Sequence, residues 1–471
     1  MTGKTTSAQR DRERAVLAAV ERFAPLRRLG WAFLLAWVFC VFYTNAVSGY
    51  TGAKASTLAV GAGWDLFFTG LPVSMSVVML VLIVVLEKRL GSPAQHAALF
   101  WIAPLATAVS TPLLFCELPD FGATAALFVI GAVLTGFGSG FMWVMWGEYY
   151  AVIPRDRAEW LAPVSAVSAA VIVLLVSAMD GWVPVAVAAA LPLLSGLCFH
   201  LAWTPEAART EEALATAHRF ATEQRSPLAG LGRTGFGILV VFSIVSIAGM
   251  MSAERVEGIP LQAILLFSAL MMAVVAAMAI SGPRRISLFF LYRWMCPTLV
   301  IGFAAVILLG QAGALVAVAA SLGGRFTFCL IAQIYFANYA AAGRATPAQA
   351  SSLGWLFVHA GDLLGLVLWI VLEPLMLAQP TGLTAVSVGC IVVLVTVTMA
   401  VMGETSTFLR IPETAKDQPH AHGKGLVTES PDAHDAMDQP GEPQPDAPAP
   451  TTAPTADASG EVHGAARIDE L

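Results

Sequence analysis

Twelve apolar stretches follow one another along this chain, over residues 29–49, 66–86, 98–116, 122–146, 161–179, 183–203, 235–253, 260–281, 286–310, 313–337, 351–377 and 381–402. Each is about long enough to cross a ~30 Å hydrocarbon core as a helix rising ~1.5 Å per residue. No other feature limits the fold as much. In lipid, backbone N–H and C=O groups must be satisfied within the protein, which only helices and closed barrels achieve. Continuous apolar runs of this length lack the in–out alternation of barrel strands. The expected class is therefore an all-α membrane protein with twelve transmembrane helices. Composition agrees. Of 471 residues, 57% are hydrophobic and 12% charged, about half the charged share of a soluble domain.

Lysine and arginine set the expected orientation. Seven precede the first span. Lys88 and Arg89 lie between spans two and three, Arg155 and Arg157 between four and five, and Arg209, Arg219, Arg225 and Arg233 between six and seven. Arg284 and Arg285 follow span eight, and Arg344 follows span ten. The alternate loops hold only Lys54 and Arg255. Both termini are thus expected in the cytoplasm of a multi-pass protein of the inner (plasma) membrane.

Residues 1–28 carry Val16, Leu17, Val20 and Phe23 at helical spacing among Arg and Glu. They read as a cytoplasmic amphipathic leader rather than a cleavable signal peptide. The loop 204–234 separates an N-terminal half, 29–203, from a C-terminal half, 235–403. A faint repeat links the halves: "GEYYAVIPRDRAEW" (147–160) lies over "ANYAAAGRATPAQA" (337–350) at an offset of 190. Residues 404–471 are rich in Pro, Ala and Asp with few large apolar residues, and read as a disordered cytoplasmic tail. The six cysteines fall within or at the ends of apolar segments and read as small buried hydrophobes. There is no nucleophile elbow, phosphate loop or metal cluster. No enzyme activity, cofactor or direct nucleic-acid contact is expected.

The informative residues are the few charges inside spans. Arg325 lies twelve residues beyond Gly313, about 18 Å deep by helix rise. Asp362 lies eleven residues beyond Ser351 on the next, oppositely directed span, about 16–17 Å deep. The two should meet near mid-membrane. His359 lies three residues before Asp362 on the same helix face. An unpaired charge at that depth costs about 3 kcal/mol on insertion scales, so Arg325, Asp362 and His359 form the candidate ligand-binding or proton-coupling site. Gln333 in span ten, and Tyr43 and Asn45 in span one, can add hydrogen bonds. Glu148 closes span four in "WVMWGEYY", amid Trp143, Trp146, Tyr149 and Tyr150. It is a candidate gating residue at the interface. At the offset of 190, Arg325 falls over Thr135 and Asp362 over Ile172, so the polar site is expected to lean toward the C-terminal half. Gly136, Gly138 and Gly140 read as helix-packing positions.

Two six-span halves, a long central loop and cytoplasmic termini resemble the major facilitator superfamily. "GFGSGFMWVMWGEYYAVIP" (136–154) is similar to a motif in the facilitator-like membrane module of bacterial LuxR-type regulators, here without the helix-turn-helix domain that follows it there. The resemblance implies that spans one, four, seven and ten line a central cavity, with Arg325 facing it. It departs from the superfamily in the loop "EKRLGSPAQ", which lacks the aspartate and most of the signature between spans two and three. Besides membrane lipid, the expected partner is a small-molecule ligand. The first expectation is a transporter moving a small solute by alternating access, an anion being the class that Arg325 suits. The second is a non-transporting sensor that binds a ligand and signals to a cytoplasmic, transcriptional partner. A ligand-free scaffold is the third.

Overall fold

The computed structural model describes residues 27–44, 46–47, 62–116, 118–203, 227–253, 261–281, 288–379 and 381–402. All of them fall within one compact unit, Met1–Thr414. The expected leader helix, most of the central loop, the tail from 403 onward and Asn45 lie outside the described residues.

Among the described residues the secondary structure is helical. We number the α-helices α1 Gly30–Val38, α2 Ala62–Leu90, α3 Leu99–Phe115, α4 Phe121–Val152, α5 Arg155–Ser177 and α6 Val183–Trp203. The series continues with α7 Pro227–Ala253, α8 Leu261–Ser281, α9 Leu288–Leu309, α10 Gln311–Ala341, α11 Pro347–Ala378 and α12 Gly382–Met402. Each coincides with one of the apolar stretches. Eight are long and apolar enough to cross a membrane, while Gly30–Tyr43, Leu99–Phe115, Gln262–Val274 and Met295–Leu309 form shorter apolar helical segments. The first span is shorter than its apolar run because the helix stops at Tyr43, and Thr44 turns to an extended conformation, φ −134° and ψ 160°.

Helix boundaries follow local chemistry. The Asp120 carboxylate accepts from Ala123 N at 2.7 Å and caps α4. The Thr346 hydroxyl accepts from Gln349 N at 3.1 Å and caps α11, with Pro347 at the first helical position. Both are the short oxygen-bearing side chains that satisfy orphan N–H groups at helix starts. One residue, Gly310 at φ +58°, connects α9 to α10; a left-handed link of that kind suits glycine.

The packing repeats under a shift of six helices. α1 packs on α5 and α6, and α7 on α11 and α12. α3 packs on α4 and α6, and α9 on α10 and α12; α2 packs on α4, and α8 on α10. Contacts between the two sets of six repeat as well: α2 with α11 and α8 with α5, α4 with α11 and α10 with α5. α4 meets its own counterpart α10. These two begin at Phe121 and Gln311, 190 residues apart. α10 is central, with 83% of its most apolar window buried, whereas α12 is peripheral at 17%.

Glycines allow the close crossings. A Cβ on Gly136 would lie 2.5 Å from Met75, on α2, and one on Gly138 would lie 2.2 Å from Thr107 Oγ1, on α3. The G-x-G-x-G run is thus packing, two faces of α4 against two neighbours. At the end where α4 stops and α11 starts, the two sets of helices interlock. A Cβ on Gly147 would lie 1.9 Å from Ser351 Oγ, and the rings of Trp143 and Trp355 sit 3.9 Å apart.

Candidate functional site

Arg325 and Asp362 meet. Nη1 of Arg325 lies 2.5 Å from Oδ1 of Asp362, and the two side chains are only 7% and 5% exposed. The rise argument explains why. α10 and α11 are adjacent and oppositely directed, so residues at equal depth from opposite ends face each other. The guanidinium is also covered by rings. Its Cζ sits 4.0 Å from the Tyr43 ring centroid and 5.6 Å from that of Phe242 on α7. Such cation–π contacts contribute up to about 2 kcal/mol when desolvated.

Tyr43 binds both charges. Its hydroxyl donates to Asp362 Oδ2 at 2.7 Å while its face covers the arginine. This placement depends on an irregular piece of backbone. Residues Phe39–Tyr43 form a single π-helical stretch at the end of α1, a local widening that turns side chains off the ordinary helical face. Phe39, at its start, stacks on Phe326 of α10 with centroids 3.5 Å apart and planes at 14°. Thr44 closes it by donating to Phe39 O at 2.8 Å.

His359 is buried one turn before Asp362. Its Nδ1 lies 2.8 Å from the carbonyl of Trp355. A carbonyl only accepts, so Nδ1 carries a proton, and Nε2 is the basic nitrogen of the neutral ring. Trp143 and Trp355 stand against the imidazole with centroids at 6.5 and 6.3 Å. A cavity of about 20 Å³ opens beside it, walled by Trp37, Phe42, Tyr43, Ser139, Trp143 and His359. It has room for about one water. Trp37 turns its N–H away, to Thr111 Oγ1 at 2.9 Å, and Ser139 spends its hydroxyl proton on Thr135 O at 2.7 Å. The indole N–H of Trp143 has no hydrogen-bond partner among the described residues.

The remaining expected site residues are placed elsewhere. Glu148 is fully buried within the protein. Its carboxylate accepts a short hydrogen bond from the Ser92 hydroxyl, and accepts from Ala94 N at 2.9 Å. It thereby ties the end of α4 to the α2–α3 connection, and no hydrogen bond joins it to the ion pair. Gln333 lies about two turns beyond Arg325 on α10; it is buried, outside the cavity wall, and its Nε2 has no partner among the described residues. Asn45 lies outside the described residues.

The ionisable groups Arg325, Asp362 and His359 all come from the last six helices. Tyr43, named above as a hydrogen-bonding residue, comes with Trp37 and Ser139 from the first six helices, and the three add a hydroxyl and aromatic faces. Glu87 was missed. It is buried at the end of α2 and accepts a short hydrogen bond from Thr346, the cap of α11. Its signal was its place before Lys88 and Arg89, at the edge of an apolar run. All six cysteines are free. Among the described residues no group of His, Cys, Asp and Glu could hold a metal ion.

No family model matches the sequence, and no curated protein matches it. Solved structures do. The chain is similar to the human organic anion transporter MFSD10 (TETRAN), with a TM-score of 0.50 and 14% identity over 80% of this chain and 98% of that one. It is similar to a double-tryptophan mutant of XylE at a TM-score of 0.54, with 11% identity over 83% of this chain and 96% of that one. The proton:xylose symporter XylE bound to 6-bromo-6-deoxy-D-glucose gives 0.52, with 12% identity over 81% and 95%. At such identities the likeness speaks for the fold alone. The chain has a major-facilitator-like fold, built of apolar helices that make it a multi-pass membrane protein.

Proposed function

We propose that this protein is a facilitator-type carrier of a small solute, with Arg325, Asp362, Tyr43 and His359 at its working centre. In this reading the chain crosses the inner membrane twelve times with both termini in the cytoplasm. Its halves, 29–203 and 235–403, rock about the site to give alternating access. The carrying observation is the buried Arg325–Asp362 pair clamped by Tyr43, which together with His359 walls a small cavity. In this reading the interlocked α4–α11 end is one gate of the carrier.

The solute is an organic anion in this reading. The site is electrically balanced as it stands. A carboxylate or similar group can engage the guanidinium once Asp362 is protonated, since the fork geometry of arginine matches such groups. The organic anion transporter among the similar structures is consistent with this class. Glu148 and Glu87 hold the gate end, and Gln333 adds a polar group along α10. A second reading, a membrane sensor signalling to a cytoplasmic regulatory protein, is favoured by one observation. The loop "EKRLGSPAQ" departs from the superfamily signature, and its Ser92 and Ala94 are tied down by Glu148.

Uptake by proteoliposomes separates the two. A panel of labelled mono- and dicarboxylates is offered with and without an inward proton gradient. The carrier reading expects gradient-dependent uptake of at least one anion, abolished by Arg325→Ala. Binding of an anion without uptake of any would favour the sensor, and neither binding nor uptake would overturn both.

A further inference from the structure

Tyr43 and His359 are joined by more than proximity. Both wall the same cavity, yet Asp362 and Arg325 do not. Tyr43 stands between them and it, with its ring over the guanidinium and its hydroxyl on the carboxylate. On the other side His359 has its Nδ1–H committed to Trp355, and the cavity has room for about one water. Such a water finds suitable partners. Tyr43 Oη and Ser139 Oγ can only accept from it, because their protons are already given to Asp362 and Thr135. His359 Nε2 accepts when the ring is neutral and donates when it is charged. Trp143, another wall residue, has an unpartnered indole N–H.

We propose that His359 is a proton-loading group for Asp362 and that Tyr43, through one cavity water, is the relay between them. The idea deepens the carrier reading and takes its meaning from it. In the transfer, protonated His359 gives its Nε2 proton to the water. The water passes a proton to Tyr43 Oη, and Tyr43 passes its own to Asp362 Oδ2. An imidazolium and a carboxylate become a neutral imidazole and a carboxylic acid, while water and phenol are regenerated. Nothing is oxidised or reduced, and the net charge of the site is unchanged. Arg325 then loses its charged partner and is left to take up an anion. The other titratable group beside the pair is Cys329, one turn along α10 from Arg325. Arg325 and Asp362 are the charges facing His359. Trp143 of α4 and Ser246 of α7, whose hydroxyl reaches Asp362 O at 3.4 Å, do not titrate in this range.

The test needs no solute. The purified full-length chain in detergent is taken through a rapid drop in pH. Tryptophan fluorescence reports the charging of His359, which quenches Trp143 and Trp355, and time-resolved infrared absorption reports the acid C=O band of Asp362. The parent protein is expected to quench first and show the acid band second, with the band absent in Asp362→Asn. Tyr43→Phe keeps the ring over Arg325 and removes only the hydroxyl. It should slow the rise of the acid band by about 100-fold, the usual worth of a positioned proton-transfer group, while leaving the quench in place. His359→Gln should lose the quench and slow the band to a similar degree. Circular dichroism checks folding, and if Tyr43→Phe does not fold, His359→Gln decides alone. An acid band that rises at the parent rate in the folded variant, that precedes the quench, or that never forms in the parent overturns the proposal. Absence of uptake in every proteoliposome assay would sink the carrier and leave these rates standing.

Discussion

Replacing Asp362 with alanine removes one half of an ion pair whose partner cannot reach water. The pair is 2.5 Å long, and both side chains are almost fully buried. Breaking a buried pair from one side costs about 3–5 kcal/mol, because the other charge stays behind without compensation. Arg325 keeps the Tyr43 ring at 4.0 Å and the Phe242 ring at 5.6 Å, which places the loss at the lower end, about 3 kcal/mol. That is about two powers of ten in the folding equilibrium. The double replacement Arg325→Leu with Asp362→Leu behaves differently. Apolar residues of similar volume substitute for a buried pair at little cost or with a gain, so the double variant should lie within about 1 kcal/mol of the parent or above it. Denaturant unfolding in detergent micelles, followed by circular dichroism, compares both variants with the parent. Stability of Asp362→Ala within about 0.5 kcal/mol of the parent, or a double variant no more stable than Asp362→Ala, would show that the pair is not an isolated buried one and would refute the reasoning. In the carrier reading, the stable double variant should also transport nothing.

Gly147→Leu puts a side chain where Ser351 already stands, since even a Cβ would come within 1.9 Å of its Oγ. It should part α4 from α11, and cysteines placed at positions 143 and 355 should cross-link in the parent background but not in this variant. Glu148→Ala leaves the Ser92 hydroxyl and the Ala94 N–H without their acceptor; it should destabilise the chain by about 1–3 kcal/mol without changing the Asp362 infrared band. Gly361→Val drives a branched side chain into Leu239 O, 2.6 Å from the Cβ position. It should displace α11 from α7 and lower the thermal midpoint more than the same change at Gly389, where a Cβ meets nothing within 4 Å.

The helices were legible because lipid leaves few alternatives. A run such as 122–146 must be helical, and the structure extends it to Phe121–Val152. The ion pair was legible for the same reason: in a medium that penalises lone charges, one arginine and one aspartate at matching depth on successive spans have few other solutions. Tyr43 was visible only as a minor hydrogen-bonding residue. Its control of both charges comes from the π-helical turn at Phe39–Tyr43, and "FCVFY" has no proline or glycine to announce one. The cavity wall was hidden because aromatic residues are common in apolar spans, so Trp37 and Trp143 stand out only once folding gathers them. Glu148 was legible as a candidate because it sits among tryptophans and tyrosines near the end of a span, but its burial was not. The partners that bury it, Ser92 and Ala94, are more than fifty residues earlier in the chain.

The bond from Tyr43 to Asp362 runs from the first helix to the eleventh. Any separation of the first six helices from the last six at that level must break it. The same ring lies over the Arg325 guanidinium, so parting the halves there costs a hydrogen bond and a cation–π contact together. One phenol at the end of the first helix is thus a latch that must release two partners at once.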